Sequence, residues 1–177
     1  MVSYPYRDRI CEAVQRRLPE SQVSGYHGTS IFAVLEAARS GYLPNRFADM
    51  PLFYYLPADL PGARDEARQY AQDHARFHFT REFLEVPSIE DVFRKVERGN
   101  RDVEALLRHL SQEREMLGVL LSLGPSIHAF PEETDPARRS NERCVKVPHS
   151  GLSIKHVASI QPLGDFDREV LAESGLS

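Results

Sequence analysis

The sequence predicts an α+β domain, and three observations carry that prediction. Residues Ile31, Val34, Leu35 and Ala38 recur at the i, i+3, i+4, i+7 spacing of an amphipathic helix, and similar runs stand elsewhere in the chain. Short β-capable segments lie between these runs, at 52–56 and 142–147. The run 117–123 is nearly continuous in apolar residues, which suits a strand covered on both faces better than an isolated helix.

With 177 residues, the chain is long enough for one core and short for two, so a single domain spanning 1–177 is expected. Hydrophobic residues at 41% and charged residues at 27% are ordinary for a soluble protein, and no apolar run approaches the ~18 residues of a membrane span. No membrane partner is expected. The first residues mix Arg7, Asp8, Arg9, Glu12, Arg16 and Arg17 into their apolar positions, unlike a secretory signal. Two widely separated cysteines, Cys11 and Cys144, make no disulfide framework, and a cytoplasmic location is the expectation. The net charge of −4 argues against global capture of nucleic acid, although Arg138 and Arg139 form a local basic pair.

In order, the spacing of Ile10, Ala13, Val14 and Leu18 predicts a helix over 6–18, stopped by Pro19. A short strand over 23–26 follows, placing His27 at its end, and Gly25 allows a close approach there. Thr29 or Ser30 caps the next helix, which Gly41 ends. The segment 42–50 reads as a loop before the strand at 52–56. Asp59 caps a long helix with Ala63, Ala67, Tyr70 and Ala71 on one face. Two further helical runs predict a helical hairpin inserted at 88–115. The run 117–123 is the expected central strand, 124–141 a surface loop, 142–147 and 157–163 the last strands, and 166–172 a terminal helix.

Several of these elements carry residues suited to chemistry. Gly25-Tyr26-His27-Gly28-Thr29-Ser30 sets a glycine-flanked histidine ahead of a helix; Phe53-Tyr54-Tyr55 stand on a strand; Tyr70-Ala71 lie on a small-residue helix; Glu142 opens a late strand. His74 and His78 have the i, i+4 spacing of zinc ligands, yet no glutamate of the His-Glu-x-x-His kind lies between them, and no metal is expected.

The order histidine, tyrosine strand, alanine helix, late glutamate resembles the His-Tyr-Glu branch of the ADP-ribosyltransferase superfamily, which includes poly-ADP-ribose polymerases and several bacterial toxins. The resemblance covers about 25–163. It implies an ADP-ribosyltransferase-like fold, with split antiparallel β-sheets around an NAD cleft and flanking helices. It implies NAD as the substrate and a mono-ADP-ribosyltransferase, a toxin or effector, acting on a protein or nucleic acid acceptor, with an antitoxin or immunity protein as a further partner. His27, Tyr54 and Glu142 would be the catalytic residues. His27, Gly28, Thr29, Tyr54, Tyr55 and Tyr70 would line the NAD site, with Tyr54 in the better register and Tyr55 as the fallback.

The chemistry accounts for these residue types. Cleavage of a nicotinamide–ribose bond builds oxocarbenium character, which a carboxylate such as Glu142 stabilises. An imidazole binds a ribose hydroxyl, a glycine admits the carboxamide to the backbone, and a tyrosine ring stacks on nicotinamide. Arginine-modifying toxins carry a second glutamate two residues before the catalytic one; Ser140 stands there, against arginine as the acceptor. The alternatives are an NAD glycohydrolase, an RNA 2′-phosphotransferase-like enzyme, whose winged N-terminal lobe has no room ahead of Gly25, and an inactive binding module of the same fold.

Overall fold

A computed structural model describes residues 3–44, 51–84, 116–133 and 141–177, with side chains in the long helix followed as far as Asp73. The expected hairpin at 88–115 lies outside these residues, as do Arg138, Arg139 and Ser140. The described chain is α+β. Its elements are α1 (Arg7–Gln15), β1 (Gly25–Thr29), α2 (Ile31–Ser40), β2 (Tyr42–Leu43), β3 (Leu52–Tyr55), α3 (Leu60–Leu84), β4 (Val119–Leu123), β5 (Glu142–Val145), β6 (Leu152–Ser153), β7 (Val157–Pro162) and α4 (Asp165–Glu173).

Five strands form one antiparallel sheet in the order β5-β3-β1-β4-β7, and β2 pairs with β6 in a separate two-stranded sheet. Successive side chains of a strand point to opposite faces, and the packing divides accordingly. One face carries Tyr54, Leu121, Leu123 and Val145 into a core with Ile10 of α1, Ile31 and Val34 of α2 and Phe166 and Leu171 of α4. The other face packs Tyr55 and Leu120 against Ala63 of α3.

Local signals explain most boundaries. The Ser30 hydroxyl accepts from the Ala33 amide at 3.3 Å and caps α2, so Ser30 rather than Thr29 is the cap, and Gly41 ends the helix in a left-handed conformation at φ 82°. Asp59 Oδ1 accepts from the Gly62 amide at 3.1 Å at the start of α3, as its position in the sequence predicts. α1 is shorter than the periodicity over 6–18 implies, because Arg16 already turns to extended backbone at ψ 133°.

Two expectations about strands change. β1 runs through His27 rather than ending before it, since all five of its residues pair with β4, His27 opposite Leu121. β1, not the apolar β4, is therefore the middle strand of the sheet. β4 is buried at all five positions, as expected of an interior strand, but lies one place from the middle. The predicted loop at 42–50 begins with β2, whose Tyr42 and Leu43 pair with Ser153 and Leu152. Two residues are too few for a period-2 pattern to register.

The contact that sets the position of α3 is made by glycines. A Cβ on Gly28 would overlap the Ala63 carbonyl and the Ala67 amide, and a Cβ on Gly118, at φ 84°, would overlap the Ala67 carbonyl. Ala63, Ala67 and Ala71 are buried along the helix face that meets these glycines, so the helix backbone lies directly on β1 and on the entry to β4. Asp167 secures that entry. Its Oδ2 accepts from the amides of Leu117 (3.1 Å), Gly118 (3.0 Å) and Gly164 (3.1 Å), tying α4 to the start of β4. Burial nevertheless pushes its carboxyl up to about 6, outweighing the bonds from those amides.

Backbone atoms of a helix cannot move aside as a flexible side chain does, so Gly28→Ala is expected to cost about 3 kcal/mol or to prevent folding, at the upper end of overpacking penalties. Urea denaturation checks this as a lowered midpoint at unchanged slope. A shift below ~0.5 kcal/mol would mean that α3 does not rest on Gly28.

Candidate functional site

The register of three neighbouring strands gathers residues distant in sequence. Tyr26 of β1 stands opposite Tyr55 of β3, and Tyr55 stands opposite Glu142 of β5. Directly opposed residues project to the same face, so Tyr26, Tyr55 and Glu142 form a row across the sheet on the side covered by α3.

Tyr54 is on the other side. It stands opposite Arg143, is 1% exposed, and its ring packs in the main core, over Gly25, where a Cβ would overlap it. Of the two tyrosines weighed from sequence, Tyr55 shares the glutamate's face and Tyr54 does not. Period-2 alternation demanded that one face each way, but left open which faced the core.

His27 reaches sideways from β1 to β3. Its Nδ1 lies 2.6 Å from the Phe53 carbonyl oxygen, and its ring centroid is 6.4 Å from that of Tyr70, tilted by 48°. A carbonyl only accepts, so Nδ1 carries the proton and donates. Burial lowers the imidazole's pKa, opposed by the bond to Phe53, and favours the neutral ring. A neutral ring protonated at Nδ1 leaves Nε2 as a hydrogen-bond acceptor.

The residue that sequence reasoning missed is Glu66. From α3 its carboxylate accepts from the Gly28 amide and lies close enough to Glu142 to feel its charge. Burial first, and then Glu142, pushes the Glu66 carboxyl up to about 8, while the Gly28 amide opposes the shift. Its Oε2 is buried with no hydrogen-bond partner among the described residues. Between Arg64, Asp65 and Arg68, Glu66 looks like part of a solvated helix face. The signal was its position three residues after Ala63 and four before Tyr70, beside the helix stripe that packs on the sheet.

Gly28 therefore has a packing role and a bonded amide. Thr29 is buried at the end of β1, opposite Val119. Tyr70 is half-buried on α3 beside His27. The structure thus brings together His27, Tyr70, Tyr55, Glu142 and Glu66 around the Gly28 segment. A second polar pair lies elsewhere: Ser126 Oγ is 2.7 Å from His156 Nδ1, and Phe130 packs edge-on against that imidazole at 4.9 Å between centroids. It joins the turn after β4 to the turn before β7. His74 and His78 fall in the part of α3 whose side chains are outside the described residues. Among the described residues, no helix is long and apolar enough to cross a membrane.

No protein-family model, curated protein or solved structure matches this chain, so the site is read from its own residues.

Two outcomes follow from the protonation states. Glu66 binds a proton more tightly folded than unfolded, so between its ordinary 4.5 and about 8 the unfolded chain is ionised there while the native one is not. Its contribution to stability therefore falls as pH rises through that window. Glu66→Gln, which keeps an acceptor for Gly28, is expected to match wild type near pH 4 and exceed it by about 1–3 kcal/mol at pH 8.5 in urea titrations. Equal stability at both pH values would remove the buried carboxyl from this account. For His27, nitrogen NMR is expected to show the neutral Nδ1-protonated tautomer at pH 6.5; a charged ring or an Nε2-protonated one would contradict the bond to Phe53.

Proposed function

We propose that this protein is an NAD-dependent ADP-ribosyltransferase acting on a macromolecular acceptor, with an ADP-ribosyltransferase-like arrangement of its sheets. The observation that carries the reading is the convergence on adjacent strands β1, β3 and β5 of a histidine, a tyrosine and a glutamate separated by long stretches of sequence, Tyr55 directly opposite Glu142. Tyr55 and Glu142 in one row, with His27 reaching β3 from the neighbouring strand, offer the three kinds of group that cleavage of a nicotinamide–ribose bond calls for. NAD would bring the N-glycosidic bond and the leaving nicotinamide.

In this reading Glu142 sets a carboxylate beside developing positive charge and accepts a hydrogen bond from a ribose hydroxyl. His27 accepts a second through Nε2, its orientation fixed by the Phe53 carbonyl. Tyr55 and Tyr70 offer rings for stacking. Glu66 replaces part of the role assigned from sequence to the Gly28 backbone. A carboxyl with its pKa near 8 is mostly protonated at pH 7, and its unpartnered Oε2 fits a carboxamide better than it fits a second anion. Holding Glu66 neutral also keeps one negative charge, rather than two, on this face of the sheet.

One observation favours a second reading, a module that binds NAD or a partner without turnover. The Gly28 amide is already bonded to Glu66, and the backbone of α3 rests on that glycine, so a carboxamide reaches the Gly28 backbone only if the helix shifts.

Nicotinamide release from NAD separates the two. Glu142→Ala is expected to lower it by about 10²–10³-fold with the fold retained by circular dichroism, the usual loss on removing a group that stabilises charge in a transition state. Tyr55→Ala is expected to reduce turnover and also to cost about 2–4 kcal/mol of stability, because its ring is buried against Leu120 and Ala63. Tyr54→Ala is expected to cost about 3–5 kcal/mol of stability, because it empties part of the core. Undiminished turnover in Glu142→Ala would end the transferase assignment to this residue, and saturable NAD binding without release would select the binding module. Labelled NAD incubated with lysate, with the product then treated with protease or nuclease, identifies the acceptor class.

A further inference from the structure

On the opposite flank of α3 from Glu66, the helix, the end of β7 and α4 enclose an open cleft of about 330 Å³. Three arginines line it. Arg64 and Arg68 are one turn apart on α3 and so share a face, and Arg168 comes from α4. Gln161 adds an amide, and Leu117 and Leu163 are apolar parts of the wall. No carboxylate is among the lining residues, in a chain whose net charge is −4.

Two of the three arginines have carboxylate partners. Arg168 donates to the Pro162 carbonyl at 3.4 Å and pairs with Asp165 at 2.5 Å, and Arg68 pairs with Asp65 at 3.4 Å. Both ion pairs join residues three apart on an exposed helix surface, where such pairs are weak and an incoming anion competes with them readily. Guanidinium groups present forked donors that match phosphate oxygens, and several around one cleft make a focused positive field. The volume exceeds what a diphosphate needs and lies at the small end of ligand pockets.

We propose that this cleft is a binding site for a phosphate-bearing ligand, whose phosphate groups lie between Arg64, Arg68 and Arg168. The ligand chemistry is that of a diphosphate, free or carried by a nucleotide. The site lies at the β7 edge of the sheet, on the other flank of α3 from Glu142 at the β5 edge, and the proposal does not rest on the transferase reading. Nicotinamide release tests Glu142, whereas anion binding that depends on these arginines tests the cleft.

The experiment is calorimetric titration with inorganic pyrophosphate and, in a second arm, with ADP, at low and at physiological ionic strength. Saturable binding of either, weakened by added salt, is expected. Arg64→Gln and Arg168→Gln should each weaken it at least about tenfold, the loss expected on removing one charge-assisted contact. Asp165→Asn, which releases Arg168 from its partner, should tighten binding, a gain that a merely structural role for Arg168 would not produce. Tighter binding of ADP than of pyrophosphate would identify a nucleotide as the source, and equal binding the free diphosphate. The proposal is overturned if neither ligand saturates, or if binding is unchanged in both arginine variants while circular dichroism shows them folded.

Discussion

Backbone-to-backbone contact between α3 and the sheet is the constraint on which the remaining geometry depends. Gly28 and Gly118 lie on either side of Ala67, and neither has room for a Cβ. Close approach of this kind buries little side-chain area, so the contact is sustained by dense packing of small residues, whose dispersion terms add, rather than by large apolar groups. It fixes the helix in height and in rotation. With Ala63 and Ala67 over the glycines, Glu66 and Tyr70 fall on the flank toward β3 and β5, while Arg64 and Arg68 line the cleft on the flank toward β7 and α4.

The same two glycines each donate an amide to a buried carboxyl, Gly28 to Glu66 and Gly118 to Asp167. Buried backbone N–H groups require acceptors, and a carboxyl satisfies one where a regular strand ladder does not. The cost appears in the acids themselves, since burial raises both. They differ in use. Each has one buried oxygen without a hydrogen-bond partner among the described residues, but Asp167 collects three amides on its other oxygen and joins α4 to β4, whereas Glu66 has one amide and Glu142 nearby. An acid that holds several amides is structural, and one with a single amide beside another acid has the makings of a site.

Much of this was legible in the chain. The helix beginning at Ser30 and ending at Gly41, the apolar strand of 119–123, and the candidates His27 and Glu142 follow from caps, periodicity and motif order, which are local signals. The two tyrosines were not resolved, because alternation distinguishes faces without naming them. Only the packing of Tyr54 over Gly25 and the pairing of Tyr55 with Glu142 assign each one. Glu66 was hidden among charged neighbours, and β2 and β6 are too short to carry a period.

The sequence by itself determined the α+β class, the main helix and strand positions in the described chain and which residue types were suited to chemistry, since each depends on neighbours within a few residues. Tertiary structure alone decided that β1 is the middle strand, that Tyr55 rather than Tyr54 meets Glu142, that Glu66 is buried against Gly28, and that Arg168 joins Arg64 and Arg68 across about a hundred residues of chain. Each of these is a relation between segments far apart in sequence, fixed by strand register and by how closely a helix can approach a glycine.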